Sequence, residues 1–156
     1  SAVLAARALL SSLTPLKADC GRLCAGACCQ GDEATGMLLF PGEAQLYASC
    51  GFAKVVPAHF ALGGENALLL VCQGRCPREE RPLACRLFPL FLRLGPGRRP
   101  RVVMDPRART LCPLTDYGME ALDPAFVSAA RAAYGALLED EACALFLGEL
   151  SEAFTL

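Results

Sequence analysis

Four thiols within ten residues, in Cys20-Gly-Arg-Leu-Cys24-Ala-Gly-Ala-Cys28-Cys29, constrain this chain more than any other stretch. Packing a hydrophobic core does not demand that density, whereas a thiolate site does. A second group follows at Cys72, Cys76 and Cys85, and then Cys112. The pattern predicts that the first group forms half of a metal or iron–sulfur site and the second forms the other half. Gly21, Gly26 and Gly31 argue against a regular helix through the opening stretch, although Cys20, Cys24 and Cys28 at steps of four would share one helical face. Glycine also lets the backbone fold tightly, so that its amides can point at metal-bound sulfur.

A structural zinc ion takes four soft ligands in a tetrahedron, usually as two close pairs. Cys20/Cys24 or Cys24/Cys28 supply one pair and Cys72/Cys76 the other. A 4Fe–4S cluster takes thiolates from short loops plus a distant one, a part open to Cys85 or Cys112. Spacing does not choose between zinc and the cluster. Neighbouring side chains diverge, so Cys28 and Cys29 seldom ligate one mononuclear ion; one of them serves a second metal, a larger cluster or the core. Around Cys85, Pro82 fixes the backbone, and Arg81 and Arg86 can donate to sulfur or offset its charge. Cys50 and Cys143 are expected in the core, Cys143 on the stripe Cys143, Phe146, Leu147, Leu150, Phe154. The single histidine, His59, has no visible partner and is expected to be structural or exposed. No Ser-His-Asp or Cys-His arrangement and no phosphate-cradling glycine loop is legible.

With 156 residues the chain fits one domain, 1–156, divided into a cysteine-rich region over 16–115 and a helical segment over 116–156. At 54% hydrophobic and 20% charged residues, a packed core rather than disorder is expected. Ten cysteines mean a disulfide framework in a secreted chain and metal or redox chemistry in a cytosolic one. The apolar opening Ala2–Leu13 is interrupted by Arg7 and preceded by no basic stretch, so it does not resemble a secretory leader. The apolar run Ala67–Cys72 is far too short to cross a membrane. A cytoplasmic, membrane-free protein is the expectation. Charge is unevenly spread: residues 75–115 hold ten Arg against three acids, and residues 116–156 one Arg against eight acids. A basic middle can signal nucleic acid. Its lack of Lys argues instead for fixed hydrogen bonds to the acidic tail and the thiolates, or to an anionic small molecule or protein substrate.

The chain in order predicts a helix over Val3–Lys17 with Leu9, Leu10, Leu13 and Leu16 inward, and a short apolar run at Met37–Phe40. A short helix over Glu43–Ser49 follows, then two strands, Phe52–Leu62 and Ala67–Gln73, around Gly63-Gly64-Glu65-Asn66. Glu79–Leu87 comes next as a helical segment starting near Pro82 and stopping before Pro89, then a hairpin of Leu90–Leu94 and Arg101–Asp105. Asp123-Pro124 caps a helix to Leu138, and Glu139-Asp140-Glu141 start another to about Phe154. The fold class is α+β: a small single domain with terminal helices, short β-hairpins and metal-binding cysteine loops.

Together the two cysteine segments resemble the CxxCxxCC family of zinc- or iron-chelating proteins, the YkgJ-like group. The resemblance rests on Cys20, Cys24 and Cys28-Cys29, on Gly74-Arg75-Cys76, and above all on Arg81-Pro82-Leu83-Ala84-Cys85-Arg86-Leu87-Phe88-Pro89. It covers roughly residues 16–115. The spacing here is Cys-x3-Cys-x3-Cys-Cys where the family has two residues in each gap, and Arg78-Glu79 replace its usual hydrophobic-Tyr pair. What the resemblance implies is chelation of zinc or iron. One branch is similar to flagellin lysine-N-methylases, which associate cysteine-ligated iron with methyl transfer, so an iron–sulfur-dependent enzyme is the alternative. A disulfide-stapled structural domain is the third reading.

Overall fold

A computed structural model describes residues 1–15, 36–62, 64–72, 77–95, 97, 99–110 and 118–154. The first helix, α1 (Ala2–Leu9), is capped by the Ser1 hydroxyl, which accepts from the Leu4 N–H at 3.2 Å. It stops well short of the expected Lys17. Leu10 closes it by donating back to Arg7 and Ala8, the Ser11 hydroxyl bonds the Ala8 carbonyl, and Pro15 disfavours helical geometry at Thr14. The inward stripe is Val3, Ala6 and Leu10, whereas Leu9 faces solvent.

Three strands form the larger antiparallel sheet, in the order β1–β3–β2: β1 (Met37–Leu38), β2 (Ala53–Leu62) and β3 (Glu65–Cys72). The β2–β3 hairpin arises as expected from two apolar runs around a glycine turn, with Gly64 at φ +82°. Its register slips between Pro57 and Ala61, a bulge on an edge strand where a proline is tolerated. The central strand β3 is covered on both faces. Ala67 and Leu69 join the main core, while Leu70 and Cys72 face a second cluster with Leu39, Tyr47 and Ala53. Alternation of side chains along the strand makes this division. Gly36 lets β1 approach closely, because a Cβ there would stand 3.0 Å from the Leu70 carbonyl oxygen.

Between β1 and β2 the expected Glu43–Ser49 helix is only a 3-10 turn, Glu43–Tyr47, and between β3 and β4 lie a 3-10 turn at Arg78–Glu80 and a short helix, α2 (Leu83–Leu87). The smaller sheet is the expected hairpin, β4 (Leu90–Arg93) with β5 (Arg101–Met104), in the register Leu90 to Met104. The C-terminal helices are α3 (Pro124–Leu138), capped by Asp123 with Pro124 in its first turn, and α4 (Glu141–Phe154). Phe126, Ala130, Ala133, Tyr134 and Leu137 of α3 join Val3, Ala6 and Leu10 in the main core, as do Phe146, Leu147 and Leu150 of α4. Phe40 meets Phe146 there at 4.9 Å between ring centroids. The described residues thus form a small α+β domain with four helices and two antiparallel sheets. The expected cysteine loops at 16–35 and 73–76 lie outside the described residues.

Candidate functional site

Of the sequence-predicted site residues, Cys72, Cys85, Arg81 and Arg86 are described; Cys20, Cys24, Cys28, Cys29, Cys76 and Cys112 lie outside the described residues. The described part is therefore one wall of the candidate site, built on α2. Pro82 sets the extended entry to this helix, and Leu83 and Leu87, four apart, anchor it in the main core. Cys85 lies about 200° around the helix from Leu83, turned away from that core, yet is itself buried. Cys50 and Cys143 are free thiols.

Arg86 straps this segment to its surroundings. Its Nε donates to the Arg81 carbonyl at 2.7 Å, Nη2 to the Glu79 carbonyl at 2.8 Å and Nη1 to the Arg7 carbonyl at 3.1 Å. Three charge-assisted bonds thus join α1, the 78–80 turn and α2. Burial lowers the pKa of Arg86, and the Arg7 charge pushes in the same direction. Arg81 donates through Nη2 to the Cys85 carbonyl at 3.4 Å. Both arginines therefore reach the Cys85 segment through backbone carbonyls.

Glu43, Arg7 and Tyr47 complete the wall, and sequence reasoning passed over all three. The Glu43 carboxylate is fully buried, 0% exposed at its side chain. It accepts from Arg7 Nη1 at 2.7 Å, from the Leu83 N–H at 2.7 Å and from the Phe40 N–H at 3.1 Å. The Leu83 N–H opens α2 and Pro82 provides no side-chain cap, so a carboxylate forty residues away in sequence caps the helix that carries Cys85. Arg7 Nη1 also donates to the Tyr47 hydroxyl at 2.9 Å, and that hydroxyl donates to the Glu80 carbonyl at 2.6 Å. Burial would lower the pKa of Arg7, but its bonds to Tyr47 and Glu43 prevail and raise it. Burial pushes the Tyr47 hydroxyl up to about 12, against the pull of Arg7. A signal for this group was present: Arg7 falls on the stripe of Val3, Ala6 and Leu10, and a charge at a core position requires a partner.

Tyr47 links the two described cysteines of the prediction. It belongs to the same cluster as Cys72, and a charge on Cys85 would raise its pKa further. Two buried thiols, Cys72 and Cys85, suit a thiolate metal site in donor type. Among the described residues, no group of three or more His, Cys, Asp or Glu is arranged to hold a metal ion. Of the other cysteines, Cys143 lies in the core as expected, whereas Cys50 reaches only its edge. Cys143 is buried in the main core at the start of α4, where its N–H donates to the Asp140 carboxylate at 2.9 Å. Cys50 is half-buried against the second cluster and donates to the Ala53 carbonyl at 3.3 Å. His59 is exposed within the β2 bulge.

On the outer side of Arg7 and Tyr47 opens a cleft of about 640 Å³, bordered by Ser49, Phe52, Glu79 and Glu80. No helix among the described residues is long and apolar enough to cross a membrane. No protein-family model, curated protein or solved structure matches the chain.

Proposed function

We propose that this chain is a thiolate metal-chelating protein, in which Cys20, Cys24, Cys28 and Cys29 meet Cys72, Cys76 and Cys85, with Cys112 as a further ligand. The site holds a zinc ion or a 4Fe–4S cluster. The observation that carries the reading is the investment of buried charge in one short helix. Glu43 caps α2, Arg86 straps it to the Arg81 and Arg7 carbonyls, and Arg81 bonds the Cys85 carbonyl, so the helix that carries Cys85 is tied to three separate segments. Fixing a ligand's backbone before the metal arrives reduces the ordering cost of binding. The resemblance to the CxxCxxCC family supports the same reading through its most specific stretch, Arg81–Pro89. The cytoplasm, where thiols stay reduced, is the compartment this chemistry calls for.

Elemental analysis with an absorption spectrum on anaerobically purified protein is the direct test. About one equivalent or more of zinc or iron per chain is expected, with a brown colour if iron–sulfur is present. Metal-free protein that is fully folded would refute chelation as the function. The alternative, an iron–sulfur-dependent enzyme related to lysine N-methylases, is favoured by one feature, the cleft beside the turn that leads into α2.

A further inference from the structure

The cleft between α1, the Glu43–Tyr47 turn and the Arg78–Glu80 turn carries an inference independent of the metal. Its inner wall is Arg7, whose side chain is only 12% exposed. Both hydrogen bonds of that guanidinium leave from Nη1, to Glu43 and to Tyr47. Among the described residues Nε and Nη2 make none, and neither is sealed from solvent. Those two nitrogens form the side-on edge of the guanidinium fork, the edge that pairs two parallel N–H bonds with a carboxylate. The Glu43 carboxylate and the Tyr47 ring, 5.8 Å from the guanidinium carbon, hold the fork in place. A preorganised donor pair of this kind loses little freedom when an anion docks.

The rim of the cleft has the opposite character. Glu79 and Glu80 are exposed, and their carboxylates enter no ion pair or hydrogen bond among the described residues. Their backbone is nevertheless fixed, because the Glu79 carbonyl accepts from Arg86 and the Glu80 carbonyl from Tyr47. Two carboxylates beside the entrance repel a plain anion and attract a cation. A molecule that carries both charges satisfies the wall and the rim together.

We propose that this cleft binds a small zwitterion of the amino-acid type, its carboxylate on the Arg7 fork and its ammonium group facing Glu79 and Glu80. Burial keeps the Tyr47 hydroxyl protonated through the neutral range, so it holds Arg7 and the 78–80 turn in register while the ligand binds. Since the Arg78–Glu80 turn leads directly into α2, occupancy of the cleft bears on the same backbone that positions Cys85.

The test uses the isotope-labelled 156-residue chain in whatever metal state it is purified. Amide and arginine Nε–H signals are followed while ω-amino acids from glycine to aminohexanoate are added, with acetate and methylammonium as single-charge probes. One chain length in the series is expected to shift the Arg7 Nε–H and Tyr47 signals saturably and to bind at least about tenfold more tightly than either single-charge probe. Glu79→Gln with Glu80→Gln, both exposed, should abolish that preference and leave acetate binding equal or tighter. Arg7→Lys keeps the charge but loses the fork, and should abolish binding of the amino acid. No saturable shift in the cleft with any member of the series would overturn the proposal. Binding of acetate as tight as the best zwitterion, or an undiminished preference in the double Gln variant, would overturn it equally.

Discussion

Glu43→Gln is the sharpest probe of how this wall is built. The substitution keeps the volume of a side chain that is 0% exposed and removes its charge. Three donors converge on the carboxylate, from Arg7, Leu83 and Phe40. A carboxamide has one acceptor oxygen, and its NH2 group must face at least one of those donors. Removing one partner of a buried ion pair costs about 3–5 kcal/mol. Arg7 keeps its bond to Tyr47 and a 12% exposed side chain, which places the expected loss near the lower end, about 3 kcal/mol. For a chain of this size that loss lowers Tm by about 6–12 °C, read by circular dichroism during heating. Arg7→Met combined with Glu43→Leu should be less destabilised than the sum of its single substitutions, because the double change removes both charges together. It should still fall below the parent, since the Leu83 and Phe40 N–H groups lose their acceptor. A Tm change under about 2 °C for Glu43→Gln, or strictly additive single substitutions, would refute the account of this carboxylate as the charge partner and cap.

Other expectations follow from separate parts of the molecule. Ser151 is fully buried, and its hydroxyl both accepts from the Leu94 N–H at 2.8 Å and donates to the Leu94 carbonyl at 3.2 Å. Ser151→Ala leaves both backbone groups without that partner and should cost about 1–3 kcal/mol in urea unfolding, with an unchanged m-value. Burial, and then the bond to Asp140, raises the Cys143 thiol from 9.0 to about 12, and burial raises Tyr47 from 10.0 to about 12. In both cases the folded state holds its proton more tightly than the unfolded state. Stability is therefore fully present below the unfolded values and falls as pH rises from about 9 to 12. Cys143→Ala should flatten the lower part of that fall, measured by urea unfolding across the range. On the chelation reading, Cys85→Ala should lower bound metal by elemental analysis and Cys143→Ala should not; equal metal content in the two variants would argue against Cys85 as a ligand.

Much of the fold was legible locally. Asp123-Pro124 places the start of α3 because a capping carboxylate and a fixed φ act within one turn, and the β2–β3 hairpin follows from two apolar runs around glycine. The early end of α1 was misread, because the leucine spacing continues past the point where Ser11, Ser12 and Pro15 break the backbone pattern. Leu9 was assigned inward for the same reason. At the candidate site, Cys72, Cys85, Arg81 and Arg86 were singled out by residue type. Glu43 and Tyr47 were not, since each looks ordinary on a short turn, and Arg7 looked like a mere break in an apolar run.

By itself, the sequence determined the two hairpins, the two C-terminal helices, the packing role of Cys143, and the concentration of thiols on which the chelation proposal rests. Those depend on periodicity, capping and composition, all of which act over a few residues. Tertiary structure alone decided that Arg7, Glu43 and Tyr47 form one buried group behind α2. Their pairings span 36 and 40 positions, and the Glu43 bond to Leu83 spans 40 more. Such contacts arise only when the core has closed and driven water from the charges, which is when pairing them matters most.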